Sequence, residues 1–171
     1  MLRRSGRLDI LVNNAGAGIH IAPLDRLGDD EIARSIAVNL TGALLGCRRA
    51  ARIMRRQKDG IIVNISSVCA VHAWPGWGPY SAAKAGLEQL GKVLHAELRP
   101  AGVRVTTITP SWGATHFGQA ARLPAGDPNI EPLKMQPREM GELVRHICEL
   151  PARLVMPHVR IQPMVQEIVP T

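Results

Sequence analysis

The residues best suited by type and spacing to carry out a reaction are Tyr80 and Lys84, which stand four positions apart in the chain. On a helix this spacing places both side chains on one face, one turn apart. A lysine ammonium beside a tyrosine hydroxyl favours the phenolate, because a nearby positive charge lowers the pKa of an acid. A hydroxyl with an ordinary pKa of about 10 could then exchange a proton near neutral pH. An uncoupled, exposed pair is the alternative, and the neighbouring motifs decide between the two.

Three further motifs accompany the YSAAK motif at 80–84. They read NNAG at 13–16, VNLTG at 38–42 and IIVNISS at 61–67. In this order and at this spacing, the four motifs resemble those of the short-chain dehydrogenase/reductase family in its classical form. The resemblance extends from about Arg7 to the C-terminus. It implies an NAD(P)-dependent oxidoreductase that interconverts a small-molecule alcohol and a carbonyl by hydride transfer.

The resemblance also implies a catalytic centre. Tyr80 is similar to the family's catalytic acid/base, and Ser67 to the serine that hydrogen-bonds the substrate oxygen. Lys84 is similar to the lysine that lowers the tyrosine pKa and holds the nicotinamide ribose. Asn39 resembles the asparagine that anchors a water molecule in the proton relay.

Other matching positions imply cofactor contacts. The NNAG motif resembles the strand end that passes the adenosine side of the cofactor. The segment PSWGAT at 110–115 resembles the one that touches the nicotinamide carboxamide, although Ser111 stands where the family has glycine. The cofactor contacts implied in this way are Asn14, Ala15, Gly16, Tyr80, Lys84 and Thr115.

One family feature has no counterpart in this sequence: the glycine-rich turn of the type TGxxxGxG that holds a pyrophosphate at a helix N-terminus. The residue that would choose between NAD and NADP is also missing. We therefore expect this chain by itself to bind NADP or NAD weakly, and the choice between them stays open. The alternative is a truncated or start-misassigned relative without independent catalysis, acting at most as an interaction subunit. Arg3, Arg4 and Arg7 are the first candidates for any phosphate site outside these motifs.

Composition indicates one soluble domain over residues 1–171 with an aliphatic core, since 46% of the residues are hydrophobic and only 3% are aromatic. No apolar run approaches the roughly 20 residues that span a bilayer, so we expect a cytoplasmic protein without membrane contact. The 3 cysteines are widely spaced and predict reduced thiols, and the histidines form no metal motif. The net charge of +7 lies in arginine clusters without a nucleic-acid motif and indicates a solvated helix face.

The hydrophobic pattern predicts alternating strands and helices, and hence a parallel sheet with helices on both faces. If the family order holds, this is a partial Rossmann-like α/β fold, the counterpart of the family's fourth to seventh strands, and its first strand has a bare edge. The two long helices should form a homo-oligomer contact, as their counterparts do in the family. The predicted strands are 8–12, 61–65, 103–109 and 158–162, and the predicted helices are 30–57, 79–99 and 137–150.

Residues 110–136 lack periodicity and are rich in proline and glycine, so we expect a mobile substrate lid there. Trp74, Trp77 and Trp112 surround the expected pocket in the sequence. They either line a hydrophobic substrate site or only pack against the fold.

Overall fold

A computed structural model describes residues 6–167 of the chain. Its centre is a 4-stranded sheet in which sequential strands are neighbours, in the order β1-β2-β3-β4, and every pair is parallel. This confirms the predicted parallel α/β sheet. The strands are β1 (Ile10–Asn13), β2 (Gly60–Ile65), β3 (Val103–Pro110) and β4 (His158–Ile161).

Helices connect the strands and cover both faces of the sheet. The α-helices are α1 (Asp29–Ile36), α2 (Gly42–Gln57), α3 (Gly78–Leu98), α4 (Phe117–Ala120) and α5 (Pro137–Glu149). On one face, Met54 of α2 and Leu98 of α3 are fully buried against Ile62 and Val105. On the other face, Ile147 of α5 packs against strand residues such as Val63 and Ile108. The chain therefore forms the expected three layers, with an aliphatic core on each side of the sheet.

The prediction of a single helix over 30–57 is wrong in one respect, because a π-helical turn, Ala37–Thr41, lies between α1 and α2. In this turn the Gly42 amide bonds the carbonyl of Ala37. The Asn39 side chain lies in the widened turn and donates to the carbonyl of Ser35. Such π-helical turns occur frequently at functional sites, and this one carries a predicted site residue.

The remaining element boundaries differ from the predictions at the ends, where hydrogen-bond patterns fray. Strand β1 begins at Ile10 and includes Asn13, because the parallel ladder with β2 pairs Asn13 with Asn64. Helix α3 begins at Gly78 and ends at Leu98, where a 3-10 turn, Arg99–Ala101, follows. Helix α5 ends at Glu149 and β4 ends at Ile161.

Strand β1 has one unpaired edge within residues 6–167. It pairs with β2 alone and is one of the two edge strands of the sheet in the described residues. Ile10 and Val12 are 45% and 40% exposed, whereas their β2 partners Ile61 and Val63 are buried. The sheet therefore ends in uncovered apolar side chains beside open backbone groups, as the sequence predicts.

Candidate active site

The ends of β1 and β2 and the start of α3 assemble the candidate site. Ser66 and Ser67 follow β2 directly, and the NNAG motif lies where β1 ends. Pro79 lies in the first turn of α3, where its fixed backbone angle suits a helix start and its missing amide proton costs nothing. Tyr80 and Lys84 then occupy the next positions on α3, with both side chains turned into the protein. Carboxyl ends of parallel strands meet at one edge of a sheet, and there such folds form ligand crevices.

Tyr80 hydrogen-bonds the Ser67 side chain and is only 7% exposed. Burial raises the pKa of Tyr80 above its ordinary value, because a phenolate loses its hydration in an apolar site. The bond to Ser67 offsets part of this rise, and the nearby Cys69 adds a little to it. The prediction of a lowered Tyr80 pKa is therefore wrong for this structure: the site holds the phenol in its neutral form.

Lys84 lies on the same face of α3, with its Nζ 5.7 Å from the centre of the Tyr80 ring. The ammonium donates a 2.8 Å hydrogen bond to the carbonyl oxygen of Ile65. The Ser66 hydroxyl donates to the backbone carbonyl of Lys84, which fastens α3 to the end of β2. Burial lowers the pKa of Lys84 to about 8, because little water remains to solvate its charge. Lys84 is still mostly protonated at neutral pH, so the site combines a neutral phenol with a buried cation.

Asn39 is buried and joins the π-helical turn to the loop after β1. Its Nδ2 donates to the carbonyl of Ala17 at 2.8 Å, and its Oδ1 accepts from the Ala17 amide at 3.1 Å. A Cβ added at Gly16 would lie 3.0 Å from Asn39 Oδ1 and 3.3 Å from Lys84 Nζ. Asn39 and Lys84 therefore meet at Gly16, where an added side chain would press against the polar atoms of both.

Phe117 belongs to the site as well, although the sequence analysis did not single it out. Its ring lies 5.2 Å from that of Tyr80 at 63° and 6.1 Å from that of Trp77 at 5°. Trp77 in turn contacts Tyr80 at 5.6 Å and 68°. Trp74 contacts His72 instead, and Trp112 is 42% exposed. Of the three tryptophans, Trp77 alone belongs to the aromatic cluster around Tyr80; Phe117 is the chain's only phenylalanine, which was the one signal in the sequence.

Of the six predicted cofactor contacts, Tyr80 and Lys84 are buried and the other four are exposed. Asn14, Ala15 and Gly16 are exposed, and Thr115 is exposed on the segment after β3. The Thr115 hydroxyl accepts a hydrogen bond from the Phe117 amide at 3.3 Å. Thr115 borders a cavity of about 360 Å³ whose lining does not include Tyr80 or Lys84. The structure thus brings Ser67, Tyr80, Lys84, Asn39 and Gly16 together and leaves Thr115 beside a different cavity.

The described part of the chain contains neither a cluster of metal-ligating side chains nor a helix suited to cross a membrane. No group of three histidine, cysteine or acidic side chains there is arranged to hold a metal ion. None of the helices in residues 6–167 has the length and apolarity needed to cross a membrane. The cysteines are free thiols, and burial raises the pKa of Cys69, which keeps it protonated.

Replacing Lys84 by methionine should stabilise the fold at neutral pH. A lysine whose folded pKa is depressed costs stability below that pKa, and this cost disappears as the pH rises to the ordinary value. Removing the charge should add about 3 kcal/mol and losing the Ile65 bond should subtract about 1 kcal/mol. We expect Lys84→Met to raise the free energy of unfolding by about 2 kcal/mol at pH 7, measured by denaturant titration.

The pH dependence distinguishes this effect from a general gain in packing. Between pH 8 and the ordinary lysine pKa of about 10.4 the wild-type chain becomes more stable relative to the variant, so the gain should vanish. Lys92 lies on the same helix and is exposed, so Lys92→Met is the matched control and should change little. A gain from Lys84→Met that stays constant up to pH 10 would contradict a buried charge at this position.

Comparison with known proteins places the chain in a family. Residues 1–124 match the family described as short chain dehydrogenase. The 3beta-hydroxysteroid dehydrogenase 1 of Eggerthella lenta is 44% identical over 106 residues, which are 61% of this chain and 40% of that protein. The 3-oxoacyl-[acyl-carrier-protein] reductase of a Synechocystis species is 33% identical over 159 residues, which are 88% of this chain and 61% of that protein.

Solved structures show the same architecture. The closed form of serine dehydrogenase complexed with NADP+ is 26% identical, with a TM-score of 0.87 over 95% of this chain and 68% of that chain. The serine dehydrogenase of Escherichia coli gives 26% identity and a TM-score of 0.80 over 94% of this chain and 66% of that chain. The chain spans 40% and 61% of the two curated relatives. With its parallel sheet and the matched residues 1–124, the chain belongs to the short chain dehydrogenase family.

Proposed function

We propose that this chain carries the catalytic centre of an NAD(P)-dependent oxidoreductase that interconverts an alcohol and a carbonyl by hydride transfer. The observation that supports this most directly is the hydrogen bond between Tyr80 and Ser67, with Lys84 on the same face of α3. Two hydroxyls that contact each other can both contact one substrate oxygen. Their position at the carboxyl ends of parallel strands favours a ligand crevice.

In the proposed reaction, Ser67 donates a hydrogen bond to the substrate oxygen and Tyr80 transfers the proton. During reduction of a carbonyl, oxygen acquires negative charge as hydride reaches the carbon, and Tyr80 supplies a proton to that oxygen. Lys84 places a positive charge near the resulting phenolate and stabilises it. Asn39 holds the loop at Ala17 and carries the predicted proton-relay role. Oxidation of an alcohol follows the same steps in reverse.

The residues present fit the nicotinamide side of NADP or NAD. Gly16 is exposed, and an added Cβ there would crowd Asn39 Oδ1 and Lys84 Nζ, so these two polar groups lie beside bare backbone that faces the solvent. Tyr80 and Lys84 would hold the nicotinamide ribose, and Asn14, Ala15 and Gly16 the adenosine side. Thr115 would contact the carboxamide. The cofactor supplies or accepts the hydride, and the chain's residues orient it and move the proton.

A hydride-transfer assay tests this function. The purified chain is mixed with NADPH or NADH and a panel of carbonyl compounds, including the steroid ketones suggested by one relative, and nicotinamide absorbance is followed. Transfer that requires both Ser67 and Lys84 supports the proposal. If transfer appears but Ser67→Ala and Lys84→Met are as active as wild type, the assigned centre is wrong.

We also propose that two copies associate through α2 and α3. These helices flank a groove of about 790 Å³ with an apolar floor and a basic rim. Leu44, Leu45 and Val93 are each about 40% exposed, whereas Leu87 and Leu98 turn into the core. Helix α2 therefore supplies the larger share of the exposed apolar surface. Lining residues of the groove are Leu44, Leu45, Arg48, Ala51, Arg52, Arg55, Arg56, Leu90, Leu94 and Glu97, with Cys47 below them.

This association should strengthen as salt is added. The groove holds four arginines and one glutamate, so two copies repel each other until ions screen the charges. Sedimentation velocity should show more dimer at high than at low ionic strength. Leu44→Glu should give monomers, while Leu154→Glu, at an exposed apolar position outside the groove, should not. A monomer at high concentration and high salt would contradict the interface.

A second candidate function is that of an interaction subunit without catalysis of its own. The unpaired edge of β1, with exposed Ile10 and Val12, favours it, because such an edge accepts a further strand from another polypeptide. The hydride-transfer assay separates the two. Turnover by the chain alone excludes a purely structural role, and turnover that appears only with an added partner supports assembly through this edge.

A further inference from the structure

The segment after β3 is packed against the catalytic tyrosine through Phe117. This ring, on α4, meets the Tyr80 ring at 5.2 Å and lies nearly parallel to the Trp77 ring at 6.1 Å. Trp77 meets Tyr80 from the start of α3 at 5.6 Å. Edge-to-face contacts in this distance range are favourable for aromatic pairs. Tyr80 is therefore enclosed by two aromatic rings, one of them on the segment predicted to be a lid.

A close contact between α4 and the loop after β1 holds Phe117 in this position. Gly18 is buried, and a Cβ there would overlap the Ala121 side chain and come within 3.0 Å of Phe117 Cζ. Ala121 is completely buried, and its carbonyl accepts a hydrogen bond from the Ile21 amide at 3.3 Å. The absence of a side chain at Gly18 is what permits α4 to approach so closely.

An ionic contact adds to this attachment beyond α4. Glu31, on the first turn of α1, bonds His20 Nδ1 at 3.0 Å and lies 3.5 Å from Arg122. Its other oxygen accepts from the Gly28 amide, which fixes the carboxylate in place. Arg122 is largely exposed, so this pair contributes little energy by itself. Arg122 directly follows Ala121, so the ion pair lies at the end of the segment that packs against Gly18.

We propose that Phe117 is a positioning residue for Tyr80: seated by Gly18, its ring excludes water from the phenol and holds Tyr80 in its neutral, proton-donating form. This inference rests on the acid/base role proposed above for Tyr80. A neutral phenol is the form that gives a proton to a substrate oxygen, so the closed segment favours reduction of a carbonyl over oxidation of an alcohol. Movement of α4 away from Gly18 hydrates Tyr80 and favours the phenolate.

The charged neighbours of Tyr80 do not account for its neutral form. The positive charge of Lys84 on α3 would favour the phenolate, and Cys69, on the 3-10 turn Val68–Ala70, makes the smallest contribution to the raised pKa of Tyr80. Helix α4 contributes no titratable side chain, because its residues are phenylalanine, glycine, glutamine and alanine. The effect of Phe117 is thus on hydration alone, in the direction in which burial raises the pKa of Tyr80.

The chain offers a direct measurement, because Tyr80 is its only tyrosine. Tyrosinate absorbance followed against pH reports this residue alone, and circular dichroism shows at which pH the fold is lost. In the wild-type chain we expect tyrosinate to form only as the fold is lost at alkaline pH. In Phe117→Ala and Gly18→Ala it should form in the folded state, at a pH at least about one unit lower than in wild type.

Gly118→Ala is the matched control for Gly18→Ala, since it is the same substitution but its added methyl, on α4, meets nothing within 4 Å. It should titrate like wild type. The proposal is overturned if the wild-type tyrosine ionises reversibly near its ordinary pKa of about 10 while the chain stays folded. It is also overturned if both folded variants titrate like Gly118→Ala. Should either variant fail to fold, Phe117→Leu, which keeps apolar bulk and loses the ring, replaces it and is judged by the same criterion.

This measurement needs neither cofactor nor turnover, so its outcome is separable from that of the proposed function. If no hydride transfer is found but Tyr80 ionises at a lower pH in Phe117→Ala than in wild type, the positioning role stands and the proposed activity is rejected. If hydride transfer is found but Tyr80 ionises at the same pH in Phe117→Ala as in wild type, the proposed activity stands and the positioning role is rejected.

Discussion

Replacing Tyr80 by phenylalanine should lower kcat about 10³-fold, the scale on which a positioned acid/base contributes. The change removes the hydroxyl that hydrogen-bonds Ser67 and leaves the ring between Trp77 and Phe117. Ser67 keeps a second partner, because its Oγ accepts from the Cys69 amide. The fold should therefore lose about 1 kcal/mol or less. Steady-state kinetics and a denaturant titration of the same preparation measure both effects.

Two further variants show whether Tyr80 and Ser67 act as a unit. Ser67→Ala should also lower kcat, and the double variant should be little worse than Tyr80→Phe alone, because residues that act together are not additive. Ser81→Ala is the matched control, since its buried hydroxyl finds no hydrogen-bond partner in residues 6–167 and it neighbours Tyr80 in sequence. A fully active Tyr80→Phe enzyme would remove the tyrosine from the reaction.

Spacing and periodicity were sufficient to predict the parallel α/β sheet and the proximity of Ser67, Tyr80 and Lys84. The apolar run at 61–65 becomes the fully buried β2, and the four-residue spacing of Tyr80 and Lys84 places them on one face of α3. Ser67 reaches Tyr80 because it lies two residues after the end of β2. These relations depend on local geometry that a sequence pattern carries.

Other features depend on the burial and tertiary contacts of a residue, and a sequence pattern does not contain this information. The direction of the Tyr80 pKa was missed because the spacing indicates the nearby cation but not the degree of burial, and burial dominates. Asn39, in the π-helical turn, donates to the carbonyl of Ala17, a residue 22 positions away. Phe117 lies in a segment without periodicity, so its contact with Tyr80 follows only from the packing of α4 on Gly18.

A polypeptide of these 171 residues should bind NADP with a Kd of about a millimolar or weaker. Helix N-termini are the usual site for a pyrophosphate, and within residues 6–167 none is well suited. Helix α1 opens with Asp29, Asp30 and Glu31, and α5 has Glu139 in its first turn, so both repel an anion. The first amide of α2 already bonds the π-helical turn. In α3, Pro79 removes a donor from the opening turn.

Without a pyrophosphate site, the chain can contact the cofactor mainly at its nicotinamide side, where Lys84 and Tyr80 offer few charge-assisted bonds. Losing several bonds to phosphate costs several kcal/mol, on the order of 10³-fold in affinity. Calorimetric titration with NADP and with NAD measures this, and the serine dehydrogenase solved in complex with NADP+, a longer relative, is the control. Micromolar binding would contradict the prediction. Arg7 would then be tested first by Arg7→Ala, although it already bonds Asp9 at 2.6 Å and Asp59 at 3.2 Å; Arg3 and Arg4 lie outside the described residues.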